Sequence, residues 1–328
     1  MTSVEDKKKQ YQENLISDVL ECIFKYGGDN YLSSIILTGS FGRCEPTFTV
    51  DACGNLILKS DVEIGLIYTK SKKQVQELIR KVTSEFTEDL NMMAISEKRV
   101  KYANNYNLSL SIPKYKTIFT YDLFNGSKTV WGADFIGAKN IALSTVDIYE
   151  AKRLIANRIG ELTRLKTIAR EDDNKYLEIQ WKGKLMLAIV SAWLICEQRY
   201  VSSYIGQYQQ LENIKEEIKN QLGQDFFEEY HQVFSFLRGN GENFELEDFK
   251  LREYVKKIDS IFKTLNINTV KVNSISRKVK YYIKYIKIGM PFGIIGFEKK
   301  ILQALITQYT EGDVSVMKTA EVWHKVLY

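Results

Sequence analysis

Two carboxylates one residue apart, Asp61 and Glu63, stand at the head of the apolar run "KSDVEIGLIY". On a β-strand, residues i and i+2 project from one face. Both acids then point the same way, while Val62, Ile64, Leu66 and Ile67 supply core contacts. Like charges this close raise the proton affinity of one partner unless a cation lies between them. An all-oxygen pair suits a hard divalent ion such as Mg²⁺, which keeps waters and recruits phosphate oxygens. Taken alone, Asp-x-Glu also fits the solvated start of an ordinary strand.

Upstream, the stretch "LTGSFGRCEP" (37–46) ends another apolar strand in Gly-Ser-Phe-Gly-Arg. Gly39 permits a backbone conformation or close approach that a side chain would block. Ser40 adds a hydroxyl, and backbone N–H groups at such a strand-to-turn junction can hold phosphate, above all where a helix begins. Arg43 adds a charge-assisted contact. An ordinary strand and turn carry the same Gly-Ser pair, so this stretch gains meaning only beside the acids. Competing chemistries are thinly equipped. The histidines are His231 and His324, which read as packing residues. The cysteines Cys22, Cys44, Cys53 and Cys196 lack zinc spacing and are too few for a disulfide scaffold.

Together, "GSFGRCE" and "SDVEIGLIY" resemble the signature of the polymerase-β-like nucleotidyltransferase superfamily, and the Asp-x-Glu form with Gly-Arg after the serine is similar to its aminoglycoside-type members. The resemblance implies a transfer of a nucleoside monophosphate, AMP from ATP, to a hydroxyl of a small-molecule or protein acceptor, with release of pyrophosphate. It implies two Mg²⁺ ions held by Asp61, Glu63 and a third carboxylate on a later strand. Asp122, in "TIFTYDLFNGSKTVWG", matches that third place and doubles as the base for the acceptor hydroxyl; Asp134 is its rival. Nucleotide-binding roles fall on Gly39, Ser40 and Arg43. Lys184, Ser203 and Tyr204 match the lysine, serine and aromatic that such helical domains aim at the phosphates and base, with Lys182 and Ser202 as neighbouring alternatives. Ser40 and Asp61 lie 21 positions apart, wider than the family's gap, so "EPTFTVDACGNLIL" reads as an inserted loop or hairpin. Two other readings stand beside this one: a catalytically silent nucleotide-binding or antitoxin-like module, and an oligonucleotide or cyclic-dinucleotide synthase.

The elements that must position these residues follow from periodicity. Residues 4–26 and 72–90 carry apolar stripes at helical spacing. Gly27-Gly28 stops the first of them. "SSIILTGS" reads as a strand, and "NLILKSDVEIGLIYT" as another, the second arm of a hairpin turning at "ACGN". "NLSLSI" (107–112) and "YKTIFTYDLF" (115–124) read as strands as well. From about residue 140 the texture becomes helical, with Ser144, Thr145 and Asp147 as capping candidates. The strongly apolar "KYLEIQWKGKLMLAIVSAWLICEQRYV" follows, then helical stretches at 209–222, 224–238, 246–265, 274–288, 296–309 and 315–327. The expected architecture is α/β: a mixed-sheet nucleotidyltransferase domain over 1–140, followed by an all-helical domain over 141–328.

Composition bounds the rest. The 328 residues suit two domains, 45% apolar content is enough for sizeable cores, and three prolines argue against long linkers. A net charge of +5 accommodates an anionic ligand without demanding a polyanion, so nucleic acid is the less favoured partner. The stretch 271–293 interleaves lysines with tyrosines and reads as a solvated helix face. The polar N-terminus lacks a signal-peptide pattern and no run reads as a membrane span, so a cytoplasmic setting with no membrane partner is expected. The sequence leaves the oligomeric state open.

Overall fold

Among the described residues, helices alternate with short strands through the first half of the chain, and helices follow. The computed structural model describes residues 4–51, 53–98, 100, 117–137, 141–168, 174–239, 244, 246–265, 297–313 and 315–327. The chain divides into two compact units, Met1–Thr145 with Val201–Ile205, and Val146–Tyr200 with Gly206–Tyr328. The boundary thus falls a few residues beyond the expected 140, and a five-residue strip from far downstream belongs to the first unit.

In the first unit, β1 (Leu32–Leu37), β4 (Val62–Tyr68), β5 (Leu90–Ser96) and β6 (Lys128–Gly132) form one mixed sheet in the order β5-β4-β1-β6. β1 runs antiparallel to β4 and to β6, and β4 runs parallel to β5. The strands' alternation builds two cores. Ile35, Leu37, Val62, Ile64 and Leu66 pack one face against α1 (Val4–Lys25) and α3 (Lys72–Thr83), through Leu15, Val19, Ile23, Val75, Leu78 and Val82. Ile36, Ile67 and Ile95 turn to the other face and meet Leu123 and Phe124 of α4 (Ile118–Asn125). α1 ends where Gly27 adopts φ 73°, a left-handed conformation that glycine enters without steric cost. The expected insertion is a hairpin, β2 (Phe48–Val50) paired antiparallel with β3 (Leu56–Leu58). Phe48 at its root meets the edge of Tyr11 on α1, ring centroids 5.5 Å apart.

Three expectations need correction. The stretch 115–124 was expected to be a strand, but Ile118–Asn125 is helical. Thr117 is its N-cap, its hydroxyl accepting the Thr120 amide proton at 3.1 Å, and Gly126 ends it. Ile118, Tyr121 and Phe124 recur every three residues and each is buried, so helical spacing won over apparent strand character. The second amphipathic helix stops at Thr83 rather than continuing to 90, which frees Leu90–Ser96 to join the sheet as β5. The run 55–69 is two strands, β3 and β4, not one. The stretches 107–112, 274–288 and 271–293 lie outside the described residues.

Every regular element among the described residues of the second unit is a helix. These are α5 (Tyr149–Ile168), α6 (Asn174–Cys196), α7 (Tyr204–Asn213, entering from the first unit), α8 (Lys215–Leu222), α9 (Phe226–Leu237), α10 (Asp248–Thr264), α11 (Phe297–Glu311) and α12 (Val316–Leu327). Leu177–Cys196 is long and apolar enough for a membrane span. Its Leu185, Ile189, Trp193 and Leu194 are nevertheless wholly buried, as in the core helix of a bundle. Trp193 also donates from Nε1 to Gln221 at 2.8 Å. His231 is exposed on α9 and pairs through Nδ1 with the Tyr208 hydroxyl at 2.6 Å.

Candidate active site

The pairings place one end of every strand of the sheet together. Leu37, the last residue of β1, pairs with Ile64 near the start of β4 and with Lys128 at the start of β6; Glu63 pairs with Asn91 near the start of β5. Strand ends are where a sheet leaves backbone and polar side chains outside its ladder. The two sequence stretches singled out above meet there.

β1 runs into a one-turn helix, α2 (Gly39–Gly42). The Thr38 amide donates to the Glu63 carbonyl at 2.9 Å, and the Thr38 hydroxyl reaches Glu63 Oε2 at 3.4 Å. Gly39 takes φ 57°. A Cβ built on Gly39 would fall within 2.6 Å of the Glu63 carboxyl carbon. Glycine is therefore required twice, by a left-handed backbone and by the carboxylate lying on its Cα. Gly42 is as tightly enclosed: a Cβ there would come within 2.6 Å of both the Leu37 and the Gly126 carbonyl oxygens. The turn thus nests between the end of β1 and the end of α4. Its first internal amide bond runs from Gly42 to Thr38 O, so the amides of Gly39, Ser40 and Phe41 precede it.

Glu63 alternates with Val62 and Ile64 and so lies on the face covered by α4, half-buried. Asp61 is exposed and lies one residue before β4, whose first amide, Val62 N–H, donates to Asp89 O at 2.9 Å. The pair stands at the mouth of a strand rather than along one.

The third carboxylate was expected on a strand and lies on a helix, α4. Among the described residues, no group of three or more His, Cys, Asp or Glu side chains is placed to hold a metal ion. Asp122 sits on α4, one turn before its end. Its carbonyl accepts from Gly126 N–H at 2.8 Å, and its charge adds to the burial that pushes the Tyr121 phenol up. Asp134 has a local task. Its Oδ1 accepts from the Thr129 hydroxyl at 2.7 Å and from the amides of Gly137 and Ile136 at 2.9 and 3.3 Å. The Thr129 bond and then the Gly137 amide hold its carboxyl below the usual range.

Arg43, Ser203 and Tyr204 do come together. The Arg43 guanidinium lies 5.1 Å over the Tyr204 ring, and both Arg43 Nε and the Ser203 hydroxyl bond Glu45. Ser202 is buried against Gly126, with its hydroxyl unpartnered. Lys184 belongs to the helical unit. It stands mid-way along α6, its Nζ 4.2 Å from the Trp181 ring centroid. Lys182, its alternative, is committed to Asp248 at 2.8 Å, Glu178 at 3.0 Å and the Leu246 carbonyl at 3.2 Å.

Two residues of this region escaped the sequence reading. Asn91 shares a face with Glu63 because parallel pairing puts register partners side by side, a signal legible only once β5 is recognised. Glu45 gave no local sign of being buried at 5% exposure. No protein-family model matches the chain, and no curated protein matches it.

Proposed function

We propose that this chain is a metal-dependent nucleotidyltransferase that moves a nucleoside monophosphate, AMP from ATP, onto a hydroxyl of a small-molecule or protein acceptor and releases pyrophosphate. The observation that carries the reading is the Glu63 carboxylate lodged on the Cα of Gly39, which joins the glycine turn and the acidic pair at one end of the sheet. Such a junction offers a triphosphate early-turn amides and a hydroxyl on one side and carboxylates on the other.

The donor set suits Mg²⁺ in a limited form. Asp61 and Glu63 would hold it, and a carboxylate pair suffices for an ion that also takes phosphate oxygens and water. When bound, the ion neutralises charge on the attacking and leaving oxygens. The chain's own work is positional. Gly39 lets the backbone approach the triphosphate, Ser40 offers a hydroxyl, and Arg43, whose orientation Tyr204 and Glu45 restrict, offers charge. Asp122 enters as the third carboxylate and as a base for the acceptor hydroxyl. One other reading stands beside it, a module that binds nucleotide without turning it over.

The test is incubation with Mg²⁺ and nucleoside triphosphates labelled at the α-phosphate, across a panel of hydroxyl-bearing acceptors. Label transfer with pyrophosphate release is expected, and its loss in Asp61→Ala/Glu63→Ala with the fold intact. Nucleotide binding without transfer from any triphosphate supports the silent module; labelled product from nucleotides alone points to an oligonucleotide or cyclic-dinucleotide synthase.

A further inference from the structure

Glu45 is a carboxylate buried to 5% exposure, where an unmatched charge is strongly unfavourable. Among the described residues, donors from two distant stretches of the chain match it. Oε1 accepts from the Ser203 hydroxyl at 2.5 Å and the Ile205 amide at 3.1 Å; Oε2 accepts from the Tyr204 amide at 3.2 Å and Arg43 Nε at 3.3 Å. Three of these donors come from the strip Val201–Ile205, some 158 positions downstream, which belongs to the same unit as the glycine turn. The Arg43 guanidinium is then held between two restraints, Glu45 at Nε and the face of the Tyr204 ring 5.1 Å from Cζ. The backbone that presents Glu45 is itself bent for the purpose. Cys44 takes φ 59°, rare for a residue with a side chain, and the Glu45 amide folds back onto Ser40 O at 2.7 Å. Ser203 has one hydroxyl proton, directed to Glu45, so it cannot donate to a phosphate at the same time.

We propose that Glu45 is a positioning residue: it pins the 201–205 strip to the glycine turn and, through Arg43 and Tyr204, sets the guanidinium that receives the phosphates of a nucleoside triphosphate. The functional half rests on the nucleotidyltransferase reading; the pinning does not. A fixed guanidinium serves ground-state binding of the nucleotide, so its loss acts on KM more than on kcat.

The experiment compares wild type with Glu45→Gln in two measurements. Hydrogen exchange without ligand reads the pin: the Tyr204 and Ile205 amides should lose on the order of 10-fold in protection, as expected for losing a hydrogen bond to a charged group. Steady-state transfer with ATP and Mg²⁺ reads the consequence: KM for ATP should rise about 10-fold with kcat within about 2-fold. Should Glu45→Gln not fold, Ser203→Ala removes one of these bonds and should give smaller changes in the same directions. Wild-type protection at both amides overturns the pin. Loosened amides with unchanged KM overturn the positioning role. If the wild type neither binds nor transfers nucleotide, the enzymatic reading falls with the functional half, and the exchange result alone decides the pin.

Discussion

A methyl group on Gly39 tests the contact on which the candidate site is built. Gly39→Ala meets two obstacles. The left-handed backbone, φ 57°, costs alanine about 1–2 kcal/mol. The new Cβ would also lie 2.6 Å from the Glu63 carboxyl carbon, so the acid must swing out of its rotamer at about 0.5–1.5 kcal/mol and give up the Thr38 hydroxyl. The two add to about 1.5–3.5 kcal/mol, or on the order of 3–14 °C in the melting midpoint of a unit of this size. Only the second obstacle involves Glu63. A double-mutant cycle with Glu63→Ala, followed by calorimetry, should therefore return a coupling of about 1 kcal/mol, leaving the backbone cost behind. Equal losses from Gly39→Ala with and without Glu63→Ala would refute the contact between turn and acid.

Other perturbations have equally direct readouts. Asp61→Asn and Glu63→Gln should each lower Mn²⁺ affinity, followed by electron spin resonance, by more than about 10-fold, because removing a carboxylate from a hard-ion site removes an anionic oxygen ligand. In the helical unit, Lys152 is buried, donating to Gln303 Oε1 at 2.8 Å and lying 3.7 Å from buried Asp259, whose other oxygen binds Lys263 at 2.8 Å. Lys152→Met should destabilise by about 1–3 kcal/mol in denaturant titration, because Gln303 loses a charged donor and Asp259 a buried cation, and Lys152→Met/Asp259→Leu should recover part of it. Burial pushes the Cys196 thiol up to about 12. The folded chain therefore keeps a proton that the unfolded chain releases above about pH 9. Stability should be unaffected below that pH and decline toward pH 12, by up to about 1.4 kcal/mol per pH unit from this group. Cys196→Ala should flatten that decline.

Local pattern and distant pairing were not equally legible in the sequence. The helix at 4–25, β1, its glycine turn and the acid-bearing start of β4 announced themselves, because period and turn chemistry are local. β5 was hidden because "LNMMAIS" follows a helical stripe directly and has no glycine or proline before it. α4 was misread although Thr117 and Gly126 are ordinary cap residues; the apolar density of "TIFTYDLF" overrode them. The two errors are linked. Asn91 becomes the register neighbour of Glu63 once β5 is a strand, and Asp122 passes from a strand to a helix. Glu45 illustrates a different limit: nothing near it in sequence distinguishes it from a solvated acid, because its donors arrive from residues 203–205.

The 21-position gap between Ser40 and Asp61 looks like an obstacle to this junction, yet the structure makes it irrelevant. The turn and the acid are joined by the β1–β4 ladder and the Thr38–Glu63 backbone bond, not by the chain between them. The intervening hairpin closes on itself, with Phe48 opposite Leu58, Thr49 opposite Ile57, and Lys59 N–H on Thr47 O at 2.9 Å. Its far end is solvent-exposed at Val50 and Ile57. Replacing residues 50–56 by Asn-Gly should therefore preserve the Thr49–Ile57 pair with a two-residue turn and change stability by less than about 1 kcal/mol. In the shortened chain the Gly39→Ala and Glu63→Ala cycle should return the same coupling as in the full chain. A coupling that vanished on shortening would mean that the hairpin, rather than the sheet, holds the acid against the turn.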